Sequence, residues 1–111
     1  MTPDQKNTLN NEITLVTGAS RGIGAGIARL FGESGSYVIG TATTQDGADA
    51  ITKRLHDDGL KGEGMVLDVS DLDDVNKIIK DLKEMDLLPS ILINNAGISL
   101  ESLLMRIKEE D

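Results

Sequence analysis

Eight consecutive residues, Thr17-Gly18-Ala19-Ser20-Arg21-Gly22-Ile23-Gly24, follow the apolar run Ile13-Thr14-Leu15-Val16. A strand that runs into a glycine-rich turn and opens a helix offers an anion free backbone N–H groups and the positive end of a helix dipole. α/β proteins hold a dinucleotide pyrophosphate in this way. The glycines have separate tasks. Gly18 permits a tight turn at the strand end, Gly22 removes a Cβ that would hold the N–H groups away from the phosphates, and Gly24 lets the new helix pack closely on the sheet. The spacing is Gly-x-x-x-Gly-x-Gly, not Gly-x-Gly-x-x-Gly. Glycines alone would be ordinary turn chemistry; the strand before and the helix after give them the phosphate reading.

A second set of residues bears on the choice of dinucleotide. Sites for NAD place a carboxylate at the end of the second strand, bonded to the ribose 2′-hydroxyl. Here that end reads Gly40-Thr41-Ala42-Thr43-Thr44, and the nearest acid, Asp46, comes later. A 2′-phosphate would meet no repelling carboxylate there. Arg21 could pair with it and Thr43 could donate a hydrogen bond, which points to NADP(H). The plainer alternatives are a solvated loop charge for Arg21 and an ordinary strand end for Thr43.

These groups need elements that bring strand ends together. Apolar runs predict strands over 13–17, 37–43, 64–69 and 91–94. Between them lie helical patterns: Ile23, Ile27, Leu30 and Phe31 on one face, ending near Gly35; Ala48, Ile51 and Leu55, stopping at Gly59; and Val75, Ile78, Ile79 and Leu82. Ser70 is placed as the N-cap of the third helix, with Asp73 in the capping-box position. Residues 1–11 read as a flexible polar tail, and a last amphipathic stretch begins near Glu101. Strands separated by helices require right-handed crossovers and a parallel sheet, and continuously apolar strands imply cover on both faces.

Composition narrows the function. The net charge of −8 disfavours binding nucleic acid or an anionic membrane through bulk electrostatics. With no cysteine, neither a disulfide framework nor a thiolate metal site is possible. No metal-ligand constellation is visible. His56 stands alone on a predicted surface helix. No apolar run is long enough to span a bilayer and the start lacks a signal-peptide core, so a cytoplasmic protein is expected.

At Thr17 to Gly24 the chain resembles the short-chain dehydrogenase/reductase family, and two further family motifs follow in order: Asp68-Val69, and Asn94-Asn95-Ala96-Gly97 after Ile91-Leu92-Ile93. The resemblance covers residues 12–111 and implies a Rossmann-type doubly wound parallel sheet, N-terminal half, in strand order 3-2-1-4, with a C-terminal helical stub. It implies that Gly18, Ala19, Ser20, Arg21, Gly22, Ile23 and Gly24 hold the cofactor. Asp68 and Val69 would flank the adenine, and Asn95, Ala96 and Gly97 would bring backbone beside the ribose. Against this, Asp68 could simply be a capping acid before Ser70, and the Asn-Gly pair a strand-end turn.

Two segments, Val38-Ile39-Gly40-Thr41-Ala42-Thr43 and Leu103-Leu104-Met105-Arg106-Ile107-Lys108, are similar to the 3-oxoacyl-acyl-carrier-protein reductase branch of that family. The resemblance therefore implies NADPH-dependent reduction of an acyl-carrier-protein thioester in fatty acid synthesis, by a parent that forms a homo-oligomer, commonly a tetramer. The alternatives are another short-chain carbonyl reductase or a catalytically inactive nucleotide-binding or interaction module.

The family's catalysis uses a Ser, a Tyr, and a Lys four residues after the Tyr. The single tyrosine here is Tyr37, followed four residues on by Thr41, and it is read as a packing residue. No catalytic residue is assigned. The 111 residues are expected to be the cofactor-binding part of a longer product, truncated before the catalytic half and inactive alone. Ile91, Leu92 and Ile93 would then form an unpaired edge, and the chain would self-associate or be marginally stable.

Overall fold

The computed structural model describes residues 8–95 together with Met105 and Lys108, both helical. Seven elements alternate strand and helix: β1 (Ile13–Val16), α1 (Gly22–Glu33), β2 (Tyr37–Ala42), α2 (Gln45–Asp57), β3 (Gly62–Val66), α3 (Leu72–Glu84) and β4 (Ile91–Ile93). The strands form one parallel sheet in the order β3-β2-β1-β4, with Leu15 in register with Ile39 and Leu92. The parallel sheet is the one the alternating pattern predicts, and its Rossmann-type order is the one the family resemblance implies. The calls on residues 1–7, on Ala96 and Gly97, and on most of the terminal stretch lie outside the described residues. Residues 8–11, grouped with the tail, make a turn in which the Leu9 N–H donates to the Ser34 carbonyl at 2.9 Å.

The two faces of the sheet are built differently. On one, Leu15 and Ile39 pack against Val75, Ile78, Ile79 and Leu82, the full apolar stripe of α3, with Leu67 and Val69 completing the cluster. The other face carries α1 and α2 over Val16, Val38 and Ala42; α1 approaches it through small residues, while α2 packs through Ala48, Ile51 and Leu55. The buried residues of α1 are Gly24, Ala28 and Gly32. This corrects the helical face expected for α1: Ile27 and Phe31 pack, but Ile23 is 76% exposed and Leu30 is 55% exposed. A helix that sits close to a sheet turns its smallest residues inward, and residues four apart share that stripe. Under α2 the same logic operates on the sheet side. Gly40 and Gly64 are register partners, and a Cβ on either would run into Ile51 or the Ala48 backbone.

Boundaries also differ from expectation: β1, β2 and β4 each end one residue earlier than predicted, at Val16, Ala42 and Ile93. The third strand begins at Gly62, earlier than the predicted 64, and ends at Val66. Two glycines hid its start from an apolar pattern, and Leu67 follows as a connector whose N–H donates to the Ala42 carbonyl at 2.9 Å. The cap of α3 is Asp71, not Ser70: its carboxylate accepts from the N–H groups of Asp73 and Asp74. The Ser70 hydroxyl and N–H are both committed to the Asp68 carboxylate, which turns the chain so that the cap falls one residue later.

The sheet edges are unequal as well. Along β3, the Thr52 hydroxyl of α2 accepts from the Gly64 N–H at 2.8 Å and blunts that edge. The other edge is β4, whose three residues are half-buried and which pairs, among the described residues, with β1 alone. No described helix is long and apolar enough to cross a membrane.

Candidate functional site

The glycine turn leaves β1 at its carboxyl end. Gly18 and Gly22 both hold positive φ, +62° and +65°, which L side chains rarely adopt, so these two positions require glycine. Gly24 is constrained by space instead. A Cβ there would collide with the Gly18 carbonyl oxygen and stand 2.6 Å from Asn95 Nδ2. A Cβ at Gly22 would meet nothing within 4 Å, so that side of the turn opens outward.

Three consecutive residues of the turn are held by three different elements. The Gly18 carbonyl accepts from Asn95 Nδ2 at 3.0 Å, beyond the end of β4. The Ala19 N–H donates to the Thr41 carbonyl of β2 at 2.8 Å. The Ser20 carbonyl accepts from Arg54 Nη2 of α2 at 3.1 Å. Thr17, fully buried, adds a latch: its hydroxyl donates to Asn94 Oδ1 and accepts from the Asn95 N–H, both at 3.1 Å. The ends of β1 and β4 are thus locked side by side.

The helix N-termini differ in charge. In α2 the Thr44 hydroxyl accepts from the Gly47 N–H and Asp46 stands in the first turn. In α3 the Asp71 carboxylate caps, and Asp73 and Asp74 follow. In α1 the N-cap is Arg21, whose side chain makes no capping bond, and the first turn carries no acid. The first N–H groups of a helix have no partner within it, so α1 keeps its donors and its dipole available to an outside anion.

The remaining sequence-predicted residues lie around this turn. Arg21 and Thr43 are exposed. Ser20 lies beside the first turn of α2, its Cβ 3.6 Å from where a Gly47 Cβ would be, so Arg21 and the Thr43–Thr44 segment flank one region. Val69 is buried in the core beneath α3 and Asp68 is exposed. Hydrogen bonds from the Ser70 hydroxyl and N–H hold the Asp68 carboxyl below the usual carboxylate range, which keeps it an ionised acceptor. Asn95 meets the turn through its side chain, while Ala96 and Gly97 lie outside the described residues.

Sequence reasoning missed Thr17 and Arg54. A lone arginine on a helix face carries no pattern signal, and Thr17, at the end of the predicted first strand and the start of the motif, carries no sequence sign of its side-chain latch. Tyr37 is far from this chemistry: it packs against the α3-side core and its hydroxyl donates to Glu63 Oε2 at 2.8 Å. Among the described residues, no group of three His, Asp or Glu side chains is placed to hold a metal ion.

The family model for short chain dehydrogenase matches residues 12–111. The chain is 43% identical over 104 residues to the 3-oxoacyl-[acyl-carrier-protein] reductase FabG of Pseudomonas aeruginosa, covering 94% of this chain and 42% of that protein. It is 46% identical over 103 residues to the protein of the same name from Vibrio harveyi, covering 93% and 41%. For the Escherichia coli (strain K12) protein of that name the identity is 44% over 100 residues, covering 90% and 40%. The chain therefore spans about two fifths of the length of the curated relatives it matches.

Proposed function

The chain belongs to the short chain dehydrogenase family, and we propose that it is the cofactor-binding half of an NADPH-dependent reductase of 3-oxoacyl-acyl-carrier-protein thioesters. The observation that carries this reading is the N-terminus of α1. It opens behind two positive-φ glycines, has no acid in its first turn and no side-chain cap, and its Gly22 side is open. A pyrophosphate fits such a cradle in charge and in space. The similarity to proteins named as 3-oxoacyl-acyl-carrier-protein reductases supports the substrate class.

In this reading Gly18, Ala19, Ser20, Arg21, Gly22, Ile23 and Gly24 hold the pyrophosphate, and Arg21 and Thr43 bind the 2′-phosphate. Asp68 accepts from the adenine amine, with Val69 beside the ring. Asn95 braces the turn through its side chain, so its part at the ribose, with Ala96 and Gly97, falls to backbone. When bound, NADPH supplies a hydride for a 3-keto carbon. These residues bind and orient it; none of them protonates the developing alkoxide. The 111 residues contain no Tyr-x-x-x-Lys pair, so the chain alone does not reduce thioesters. Engagement of acyl carrier protein and homo-oligomeric assembly belong to the same proposal.

The test is a titration of wild type and Arg21→Ala with NADPH and NADH, followed by cofactor fluorescence. Loss of one charged phosphate contact costs about 1.5–3 kcal/mol, roughly 10- to 150-fold in NADPH affinity, with NADH little changed. An unchanged NADPH/NADH affinity ratio removes Arg21 from this role.

A further inference from the structure

Arg54 is left unused by the cofactor assignment, yet among the described residues its guanidinium is bonded directly to the glycine turn. Its placement follows from the sheet below it. Gly40 and Gly64 stand side by side on β2 and β3, and the missing Cβ atoms let α2 lie low over them. From that height Arg54, on the exposed side of α2, reaches across to the Ser20 carbonyl at 3.1 Å. Gly18 and Ala19 are tied by an amide side chain and a backbone carbonyl, and Arg54 supplies the last tie before Arg21.

Ser20 and Arg21 share a peptide unit. Fixing the carbonyl of that unit fixes its N–H and the direction in which the Arg21 Cα presents its side chain. Ser20 also abuts the first turn of α2, next to Thr43 and Thr44. We infer that Arg54 is a positioning residue for cofactor selectivity: by holding the Ser20 carbonyl it directs the Arg21 guanidinium at the cofactor's 2′-phosphate without touching the cofactor. This rests on the NADPH reading above. A guanidinium suits the task because it stays charged and donates through a rigid planar fork.

The protein, at the length its gene encodes, is titrated with NADPH and with NADH as wild type, Arg54→Met, Arg21→Ala and the double variant, with a thermal melt of each. Arg54→Met keeps the side-chain stem and removes the donors. It is expected to weaken NADPH about 3- to 10-fold and to leave NADH within about twofold. In the Arg21→Ala background the same change should have no further effect on NADPH, because Arg54 acts through Arg21. Three results each overturn the inference while leaving the cofactor reading intact: unchanged NADPH affinity in Arg54→Met, equal losses for both cofactors, or an additive loss in the double variant. A variant that no longer melts cooperatively would make Arg54 a structural residue and overturn it too. A wild type that binds neither cofactor defeats the cofactor reading itself, and the inference with it.

Discussion

The N-termini of α1 and α3 both follow strand ends, and they are finished in opposite ways. At α3 the chain satisfies itself: Asp71 accepts from the N–H groups of Asp73 and Asp74, and the carboxylates of those two residues stand against the helix dipole. At α1 the chain leaves the work undone. Arg21 caps nothing, Gly22 and Gly24 add no side chain, and no carboxylate occupies the first turn. The unfilled terminus is also the one held most firmly from outside, through Asn95, Thr41 and Arg54. On the function proposed above, an uncapped helix start that is braced by its neighbours serves an anion from outside the chain; a capped one needs nothing further.

The largest effect should come from breaking the seat of α1. Gly24→Ala adds one methyl group into the Gly18 carbonyl and the Asn95 amide. It is expected to destabilise the fold by about 3 kcal/mol or more and to abolish cofactor binding. Gly26→Ala is the control two residues along the same helix, where an added Cβ meets nothing within 4 Å. It should stabilise by roughly 0.5–1 kcal/mol, since alanine loses less backbone freedom than glycine in a helix. Urea unfolding of both variants checks the opposite signs; equal effects would show that the contact at Gly24 is irrelevant.

A smaller effect is expected at the self-satisfied terminus. Asp71→Ala removes the acceptor for two N–H groups and should cost about 1 kcal/mol in unfolding free energy. NADPH affinity should stay within about twofold of wild type. A loss of affinity in step with that of Arg21→Ala would mean that the two termini are not separate in function.

An effect confined to alkaline pH lies at the amino end of the strands, away from both termini. Partial burial of Tyr37 raises its pKa to about 12, helped by the Glu63 carboxylate, which accepts the phenol's hydrogen bond and repels a phenolate. The unfolded value is about 10, so the folded state favours the protonated phenol. That contribution is complete below pH ~10 and is lost as pH rises through ~12. Melts across this window should fall less steeply for Tyr37→Phe than for wild type. As the chain's one tyrosine, Tyr37 also reports its own titration by phenolate absorbance. A folded-state titration near 10 would contradict the assignment.

Much of this is legible in the sequence. The α3 stripe of Val75, Ile78, Ile79 and Leu82 consists of large apolar side chains at helical spacing, and all of it is buried. The same habit of reading misplaced α1, where closeness to the sheet selects Gly24, Ala28 and Gly32 and leaves Ile23 and Leu30 outside. Small-residue packing leaves no hydropathy signal, and for that reason the Gly62 start of β3 was missed too. Gly18, Gly22 and Gly24 stood out because their spacing encodes a turn. The braces on that turn did not. Asn95 and Arg54 reach it from residues 77 and 34 positions away in sequence, and only the crossovers of a parallel sheet bring them there. The shift of the α3 cap from Ser70 to Asp71 turned on which of two adjacent polar residues Asp68 had already engaged.

The contrast between the two termini is tested most directly by giving α1 the carboxylate it lacks. Ile23 is exposed in the first turn, so Ile23→Asp removes little packing and places a negative charge at the open N–H groups. The charge should favour the helix dipole, holding thermal stability at the wild-type level or raising it by about 0.3–1 kcal/mol. It should also compete with the pyrophosphate and weaken NADPH by about tenfold or more, well beyond the loss in the neutral Ile23→Asn control. Stability and affinity moving in opposite directions is the predicted result. NADPH affinity equal in the Asp and Asn variants would contradict the claim that this terminus is kept for the cofactor's phosphates.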